Sequence, residues 1–269
     1  AALEAHVGVP LLHRTTRSLR LSETGSLYAA TCRQVLHDLD EADRLASGER
    51  TAPRGTLTIT APVVSGEDVL RPIVSAFLVA YPTVSVHLHL LDRPVNLIDE
   101  GIDLALRIAD LPDSSMVAVR VGEVRRVIAA APSYLADQPE IRDVSDLAQH
   151  RIVTMSHFGV DRWTFPATPG GRGTTTVAFV PRLVVNSVRA VVAAAVEGQG
   201  LIRVLSYQVA PDVEAGRLRL VLPEVDANAP LPAQIIMPAG RLPMPKVRAF
   251  VDFAVPRLRA SFAARQLPA

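Results

Sequence analysis

Twice in this chain a run of β-branched residues passes through a short polar turn straight into the start of an apolar helix. The first instance is Gly55 to Phe77, GTLTITAPVVSGEDVLRPIVSAF; the second is Leu183 to Val196, LVVNSVRAVVAAAV. In the first, Leu57 and Ile59 alternate with Thr56, Thr58 and Thr60, the period of two that suits a pleated strand. Pro62 has no N–H for a ladder, and Ser65 stands where a helix cap is expected. Glu67 and Asp68 follow in the first turn, where carboxylates complement the helix dipole. The predicted helix carries Val69, Leu70, Ile73, Val74 and Phe77 on one face and ends at Tyr81-Pro82. In the second instance Asn186 and Ser187 cap a predicted helix over Val188 to Val196, stopped by Gly198. Such a turn aims unpaired N–H groups and a partial positive charge above the sheet, a setting for small anions; it also serves as an ordinary βα turn.

At 269 residues the chain is longer than one typical domain, which leaves room for two lobes and an appendage. Hydrophobic residues make up 49% and aromatics 4%, so the predicted core is aliphatic. The 28 basic and 27 acidic residues nearly cancel, which confines any argument for polyanion binding to local clusters. Cys32 is the sole cysteine, which excludes a disulfide within the chain and fits a reducing compartment. There is no apolar run of eighteen residues, and AALEAHVGVP lacks the pattern of a secretory leader, so the expected location is cytoplasmic, without membrane partners.

One local cluster is basic. A helix over Ala2 to Val7, closed by Gly8, leads into LLHRTTRSLRLSETG, where Leu12, Leu19 and Leu21 are expected to anchor a two-stranded ribbon. Its tip holds Arg14, Thr15, Thr16, Arg17 and Arg20 with no acid until Glu23. Guanidinium forks and hydroxyls at such a tip suit a phosphate backbone; a solvated turn would carry the same residues for solubility. Ser22 caps a predicted helix through Tyr28, Cys32, Val35, Leu39, Ala42 and Ala46, a heptad seam. That seam either pairs chains or lies on its own domain. Ser47 to Arg54, SGERTAPR, reads as a linker.

Beyond the first unit, Val84, Val86, Leu88 and Leu90 form an alternating strand with His87 and His89 on the opposite face; two histidines without a third ligand fall short of a metal site. A short helix is predicted over Asn96 to Glu100, a strand over Leu104 to Leu106 ending at Arg107, and strands over Val117 to Val121 and Val127 to Ala131. Next come helix starts at Pro132 and Ser145, a strand Ile152 to Met155, and a loop holding Trp163 and Pro169-Gly170-Gly171 that lacks the Lys-Ser/Thr pair of a P-loop. A strand Leu201 to Leu205, a helix from Tyr207 to Gly216, strands Leu218 to Leu222 and Ala233 to Met237, and a closing helix Val247 to Leu258 complete the chain. This alternation predicts an α/β fold with mainly parallel, doubly wound sheets, a second lobe inserted in the first, and a ligand cleft between them. Catalysis is not expected: the single lysine, Lys246, lies in the closing segment, Cys32 sits on a helix seam, and no Ser-His-Asp order is recognisable. No cofactor is expected either.

The order of parts resembles the LysR-type transcriptional regulators. The stretches that carry the resemblance are LEAHVGVPLLHRTTRSLRLSETG, GTLTITAPVVSG, LIDEGIDLALRIADLPDSSMVAVRVGEVRRVIAAAPSYL and AVVAAAVEGQGLIRVLSYQV, and it extends over essentially the whole chain. It implies the end of a recognition helix and the wing of a winged helix-turn-helix over residues 1–21, a linker and dimerisation helix with hinge over 22–54, and a periplasmic-binding-protein-like effector domain. The first effector lobe is 55–127 plus 231–265 and the second is 128–230. The recognition helix of such proteins lies largely before the position of Leu3, so the stretch in hand is expected to keep the wing without a complete helix-turn-helix. By the same resemblance, Arg14, Thr15, Thr16, Arg17 and Arg20 contact DNA phosphates, and Tyr28, Cys32, Val35, Leu39 and Ala42 lie in the dimer helix. Pro62, Val63, Val64 and Ser65, with Leu91, Asp92, Arg107, Asn186, Ser187 and Arg203, surround the effector. The function implied is a regulator that binds double-stranded DNA, self-associates as a dimer or tetramer, and senses a small anionic metabolite through lobe closure. A solute-binding receptor with the same two-lobed fold is the alternative.

Overall fold

The computed structural model describes residues 2–14, 19–46, 52–110, 116–156, 159–166, 173–225 and 230–265. Helix α1 (Ala2–Val7) leads to an antiparallel ribbon of β1 (Leu12–Arg14) and β2 (Leu19–Leu21), with Leu12 opposite Leu21. The side chain that anchors this corner is Leu11, which is buried, whereas Leu12 is half-buried and Leu21 exposed. The reason is the start of α2 (Glu23–Ala46). The Ser22 amide donates to the Leu11 carbonyl, its hydroxyl donates to the Pro10 carbonyl, and the same hydroxyl accepts from the Gly25 amide. A Cβ on Gly25 would lie 1.9 Å from the Leu11 oxygen, so this close approach requires glycine. Ser22 is thus the cap that the sequence predicts. Along α2, Tyr28 and Cys32 are half-buried, while Val35 (59%) and Leu39 (57%) are exposed, as are Leu27 and Leu36. Thr15, Thr16 and Arg17 lie outside the described residues, as do the side chains of Arg14, Leu19 and Ala42 and the segments 47–51 and 167–172.

In the first lobe, β3 (Gly55–Ala61) buries Leu57 and Ile59, and the chain continues through α3 (Val63–Ser65), a π-helical turn over Gly66–Leu70, and α4 (Arg71–Ala80). The face expected inside, Val69, Leu70, Ile73, Val74 and Phe77, is buried. Strands β4 (Val84–Leu90), β5 (Leu104–Ile108) and β6 (Met116–Val124) follow. Residues 97–101 form turns in place of the expected helix, because the Asn96 side-chain oxygen accepts from the Ile98 and Asp99 amides and competes with helical bonding.

The second lobe begins with β7 (Arg126–Ala130) and α5 (Pro132–Ala136). The helix expected from Ser145 is a single 3-10 turn over Asp146–Gln149, since Asp143 accepts both from the Ser145 amide and from its hydroxyl. After β8 (Val153–Met155), the expected loop around Trp163 is an antiparallel hairpin of β9 (Arg162–Pro166) and β10 (Thr174–Ala178). Trp163, Phe165 and Val177 point into a core there and alternate with exposed neighbours. The lobe continues with β11 (Leu183–Val185), α6 (Val188–Val196), β12 (Ile202–Leu205), α7 (Ser206–Glu214) and β13 (Arg219–Val221). Then β14 (Leu231–Pro238) returns to the first lobe, and α8 (Pro245–Ala263) closes it.

The first sheet has the order β4-β3-β5-β14-β6, and the second lobe has β12-β7-β13 beside the pair β11-β8. Among the described residues, β3 runs parallel to β4 and β5 and β8 parallel to β11, with a single parallel bridge from Ile152 to Leu201 beside them; the other ladders are antiparallel. The sheets are therefore mixed and not mainly parallel, because the two strands that follow a crossing between lobes, β7 and β14, run antiparallel to their neighbours. The outward crossing falls at Arg125, between β6 and β7, two residues before the expected boundary after residue 127. One apolar cluster, including Val124, Val127, Tyr207, Leu231 and Phe262, is continuous across the crossings. Under the first sheet, buried Asp103 accepts from the Thr58 amide and pairs with Arg241 (3.4 Å) and with the buried Lys246 (3.9 Å).

His150 is buried in the second lobe beside Tyr134. The Tyr134 hydroxyl accepts from the Arg151 amide (3.0 Å) and shares a hydrogen bond with Nδ1 of His150 (3.2 Å), while the buried Nε2 has no hydrogen-bond partner among the described residues. Burial pushes this imidazole below its ordinary value of 6.5, against the opposing pull of Asp146. The unfolded chain therefore binds a proton that the fold refuses, and stability falls as pH drops through about 6.5, by up to about 1.4 kcal/mol per pH unit. Urea titrations at successive pH values should show that slope in the native chain and a shallower one in His150→Gln.

Candidate functional site

Three strands of the first lobe end side by side, since Ala61 of β3 pairs with Leu90 of β4 and Thr60 pairs with Ala105 of β5. Beyond Ala61, Pro62 ends the ladder and α3 begins at once with Val63. The Val63 amide is answered by Asp92, whose Oδ1 accepts it at 3.0 Å from the segment after β4. Leu91 extends that strand, its amide donating to the Ala61 carbonyl. Asp92 thus takes the capping role that the sequence assigns to Ser65. A cap needs non-helical backbone, and Ser65, at φ −67° and ψ −30°, is already inside the helix. Its side chain is wholly buried, and its hydroxyl donates to the Pro62 carbonyl. Gly66 follows against β4; a Cβ there would lie 2.2 Å from Cδ2 of Leu90.

Arg107 reaches the same corner from β5. Its half-buried guanidinium donates to the Leu106 carbonyl (3.0 Å) and, at 3.5 Å, to the hydroxyl of Thr60, itself fully buried. Burial pushes Arg107 below its ordinary value, and the negative charges of Asp92 and Glu100 pull it back only in part. Neither carboxylate is paired with it. Glu100 is held by both Nη atoms of Arg93 at 3.0 Å, and Asp92 is committed to Val63. Among the described residues, Arg107 forms no ion pair.

In the second lobe, Ser187 is the N-cap of α6, as predicted, with its hydroxyl accepting from the Ala190 amide. Asn186 beside it is exposed. Ser65 itself is sealed in the first lobe, and the start of α6 reaches that lobe through Arg189, two residues beyond the cap. There Arg189 donates to Glu67 and to Asp68, both at 2.8 Å. Arg203 is likewise not free for a cleft rim, because its guanidinium stacks on Phe165 (4.3 Å) and donates to the Thr164 carbonyl within the second lobe. A third link between the lobes is Tyr207 of α7. Its ring packs edge-on against Phe262 of α8, and its hydroxyl accepts from Gln208 and lies in hydrogen-bonding reach of Ser65. Burial pushes this phenol up to about 12, with the Gln208 and Ser65 hydrogen bonds acting in the opposite direction. Sequence reasoning missed Thr60, Arg189 and Tyr207. The signal for Arg189 was present: a cation two residues after one helix cap and two adjacent acids in the first turn of the other helix.

Among the described residues no group of three or more His, Cys, Asp or Glu is placed to hold a metal, and no helix is long and apolar enough to cross a membrane.

Comparison with known proteins decides between the two classes that share such a fold. The family profile described as LysR substrate binding domain matches residues 50–259. The chain belongs to the LysR family of transcriptional regulators. An HTH-type transcriptional regulator of Xanthomonas campestris pv. campestris (strain 8004) is 34% identical over 279 residues, spanning 99% of this chain and 78% of the relative. CrgA, a LysR-type transcriptional regulator from Neisseria meningitidis, superposes with a TM-score of 0.68 at 26% identity over 96% of this chain and 86% of that one. Full-length AphB, the Vibrio cholerae virulence activator, gives 0.68 at 25% identity, over 95% and 86%. Membership in the LysR family accounts for the order of parts found here: a ribbon, a long helix and a two-lobed domain. It places the chain among regulators and not among enzymes.

Because Ser65 is packed into the lobe junction, its replacement should disturb the fold itself. Ser65→Val is expected to lower stability by about 2 kcal/mol, from overpacking and a lost hydroxyl contact to Tyr207. A urea titration checks this; an unchanged midpoint would count against the packing described.

Proposed function

We propose that this LysR-family regulator senses a small anionic metabolite held between its lobes, with Arg107 as the charge that recognises it. The observation that carries this reading is the half-buried Arg107 guanidinium, which has no ion pair among the described residues and whose neighbouring carboxylates Asp92 and Glu100 are committed elsewhere. An anion seated there would relieve a charge that burial has left partly unanswered, in a setting drier than the surface. Pro62, Val63, Leu91 and Asp92 form its first-lobe surroundings, with Asn186 and Ser187 offering the amino end of α6 from the other lobe. Val64 and Ser65 support the seat from inside the fold. Ligand contact with both lobes would favour one lobe arrangement, and only the difference in affinity between arrangements can do regulatory work.

The other proposed partners are double-stranded DNA and a second copy of the chain. The exposed Leu27, Val35, Leu36 and Leu39 of α2 offer an apolar stripe for pairing as a dimer or tetramer, with Tyr28, Cys32 and Ala42 along the same helix. Arg20, exposed on the ribbon, is proposed to meet DNA phosphates together with Arg14, Thr15, Thr16 and Arg17. The proposed division is the ribbon over 1–21, the pairing helix and hinge over 22–54, and two effector lobes that exchange at Arg125 and again before Leu231.

Two experiments test the reading. In thermal melts against a panel of small carboxylates, a ligand at a hundred times its Kd should stabilise the native chain by about 2.7 kcal/mol. Arg107→Met should lose that protection while keeping its own melting point within a few degrees; equal protection in the variant would sink the assignment. For DNA, binding to a random-sequence duplex should weaken with salt, and Arg14→Ala with Arg17→Ala should reduce the slope of log K against log salt by about 1.8, one contact for each arginine. An unaltered slope would remove both residues from the phosphate contacts.

A further inference from the structure

At the base of the ribbon two consecutive backbone amides are taken by one side chain from another element. Oε1 of Glu4, half-buried on α1, accepts the Leu11 amide at 3.0 Å and the Leu12 amide at 3.1 Å. Helix α1 ends where the Gly8 amide donates to the Glu4 carbonyl, and Gly8, at φ +76°, turns the chain out of the helix. The backbone is beside Glu4 again by Leu11, so the carboxylate closes a loop that begins and ends on α1. In the ribbon Leu12 faces Leu21, and the Ser22 amide donates to the Leu11 carbonyl. Ladder bonds of an antiparallel pair fall on alternate residues, so with Leu11 bonded across the ribbon the Leu12 amide points away from β2. An outward amide on a strand edge is commonly left to water. Here a carboxylate of α1 holds it.

What this grip sets is direction. Strands β1 and β2 have three residues each, and Leu11 is the buried apolar side chain that anchors their corner. One apolar anchor resists pulling but lets a short ribbon pivot about it. The Leu11 peptide is held from both sides, its amide by Glu4 of α1 and its carbonyl by Ser22 at the start of α2, which removes the pivot. Hydrogen bonds to an ionised acceptor are roughly twice as strong as neutral ones, so the hold from α1 is the firmer of the two. Arg20, exposed and paired across the ribbon with His13, moves with whatever fixes its base.

We propose that Glu4 is a positioning residue for the DNA contact: by holding the Leu11 and Leu12 amides it fixes the angle between α1 and the ribbon, and with it the place of Arg20 against a phosphate. The inference rests on the reading of the ribbon as a phosphate contact. Its signature is a sign. An acid near a polyanion opposes binding through its charge, so a purely electrostatic Glu4 would give tighter binding when neutralised. A positioning Glu4 gives weaker binding when its acceptor is removed, because the arginines lose their places, and is indifferent to charge as long as an oxygen stays in reach of both amides.

The experiment titrates the full-length protein against a labelled random-sequence duplex from about 50 to 200 mM salt. Arg20→Ala should reduce the slope of log K against log salt by about 0.9, the value of one phosphate contact. An unchanged slope there would overturn the ribbon reading and this inference with it; a reduced slope leaves the Glu4 variants to decide the inference alone. Glu4→Ala should weaken binding by about five- to ten-fold at about 100 mM salt and reduce the slope by at least as much as Arg20→Ala. Glu4→Gln, neutral but of equal length, should stay within about two-fold of the native protein, and Glu4→Asp, charged but one methylene shorter, should be about three-fold weaker or more. Binding by Glu4→Ala as tight as the native protein's, equal effects of Ala and Gln, or native binding by Glu4→Asp would each overturn the proposal. A role in stability alone would lower the melting point and leave the salt slope of the folded protein unchanged. Should Glu4→Ala fail to fold, the order of Gln and Asp still decides.

Discussion

The carboxylate of Asp92 can answer either the Val63 amide or the Arg107 guanidinium, and in this fold it answers the amide. That choice starts α3 at Val63, one residue after the strand, and so carries Ser65 inside and packs Gly66 against Leu90. It also leaves Arg107 without an ion pair among the described residues in a half-buried corner, since Glu100 is already taken by Arg93. A buried or half-buried charge without a partner is costly, and folds rarely retain one unless something else compensates. Here the remaining compensation within the chain is the Leu106 carbonyl and the Thr60 hydroxyl, both neutral. The physical case for an anion at this corner is the difference between what a guanidinium can accept and what its own fold supplies.

The junction between the lobes divides into two kinds of contact. Tyr207 is buried, packs on Phe262 and shares polar contacts with Gln208 and Ser65, so its removal would expose apolar surface and strand hydrogen-bonding groups. The Arg189 pairs with Glu67 and Asp68 are about half-exposed, and exposed pairs of this kind contribute about 0.2–1 kcal/mol each. The first kind fits a pivot that persists through any rearrangement, and the second a latch that gives way at small cost. Arg125, flanked by β6 and β7 and bonded to Ser206 through both backbone groups, lies at the pivot side.

What could be read in the letters was local. The alternation in Gly55–Ala61, the cap at Ser22 and the cap at Ser187 each depend on residues within a few positions of one another, and each is found in the structure. Ser65 was misassigned because its competitor as cap, Asp92, acts from 29 positions away from Val63. Arg203, a rim residue by the resemblance alone, is held by Thr164 and Phe165, which lie in a hairpin that the sequence does not announce. That hairpin carried a period of two in Trp163 and Phe165, but five residues with one polar neighbour each give a weak signal. Strands β12, β13 and β14 are legible as strands, but the antiparallel pairing of β7 and β14 with their neighbours is not, since direction in a sheet depends on where the chain crosses between lobes. Arg107 was named as a candidate, yet its interest lies in what its neighbours do instead of pairing with it, which only coordinates reveal.

The magnitudes at the junction bear on how small a ligand can be and still switch the protein. If the two pairs of the latch contribute about 0.4–2 kcal/mol in total, the two lobe arrangements differ in that contribution by at most roughly a factor of thirty in population. A ligand needs only a comparable tenfold preference for one arrangement to shift the balance appreciably, and a charge-assisted hydrogen bond made in one arrangement and lost in the other is of that size. An anion bridging Arg107 and the head of α6 is one such ligand. A rigid, fully buried lobe interface would demand far more binding energy than a small metabolite can deliver; a buried pivot beside an exposed latch lowers the requirement to what one guanidinium can supply.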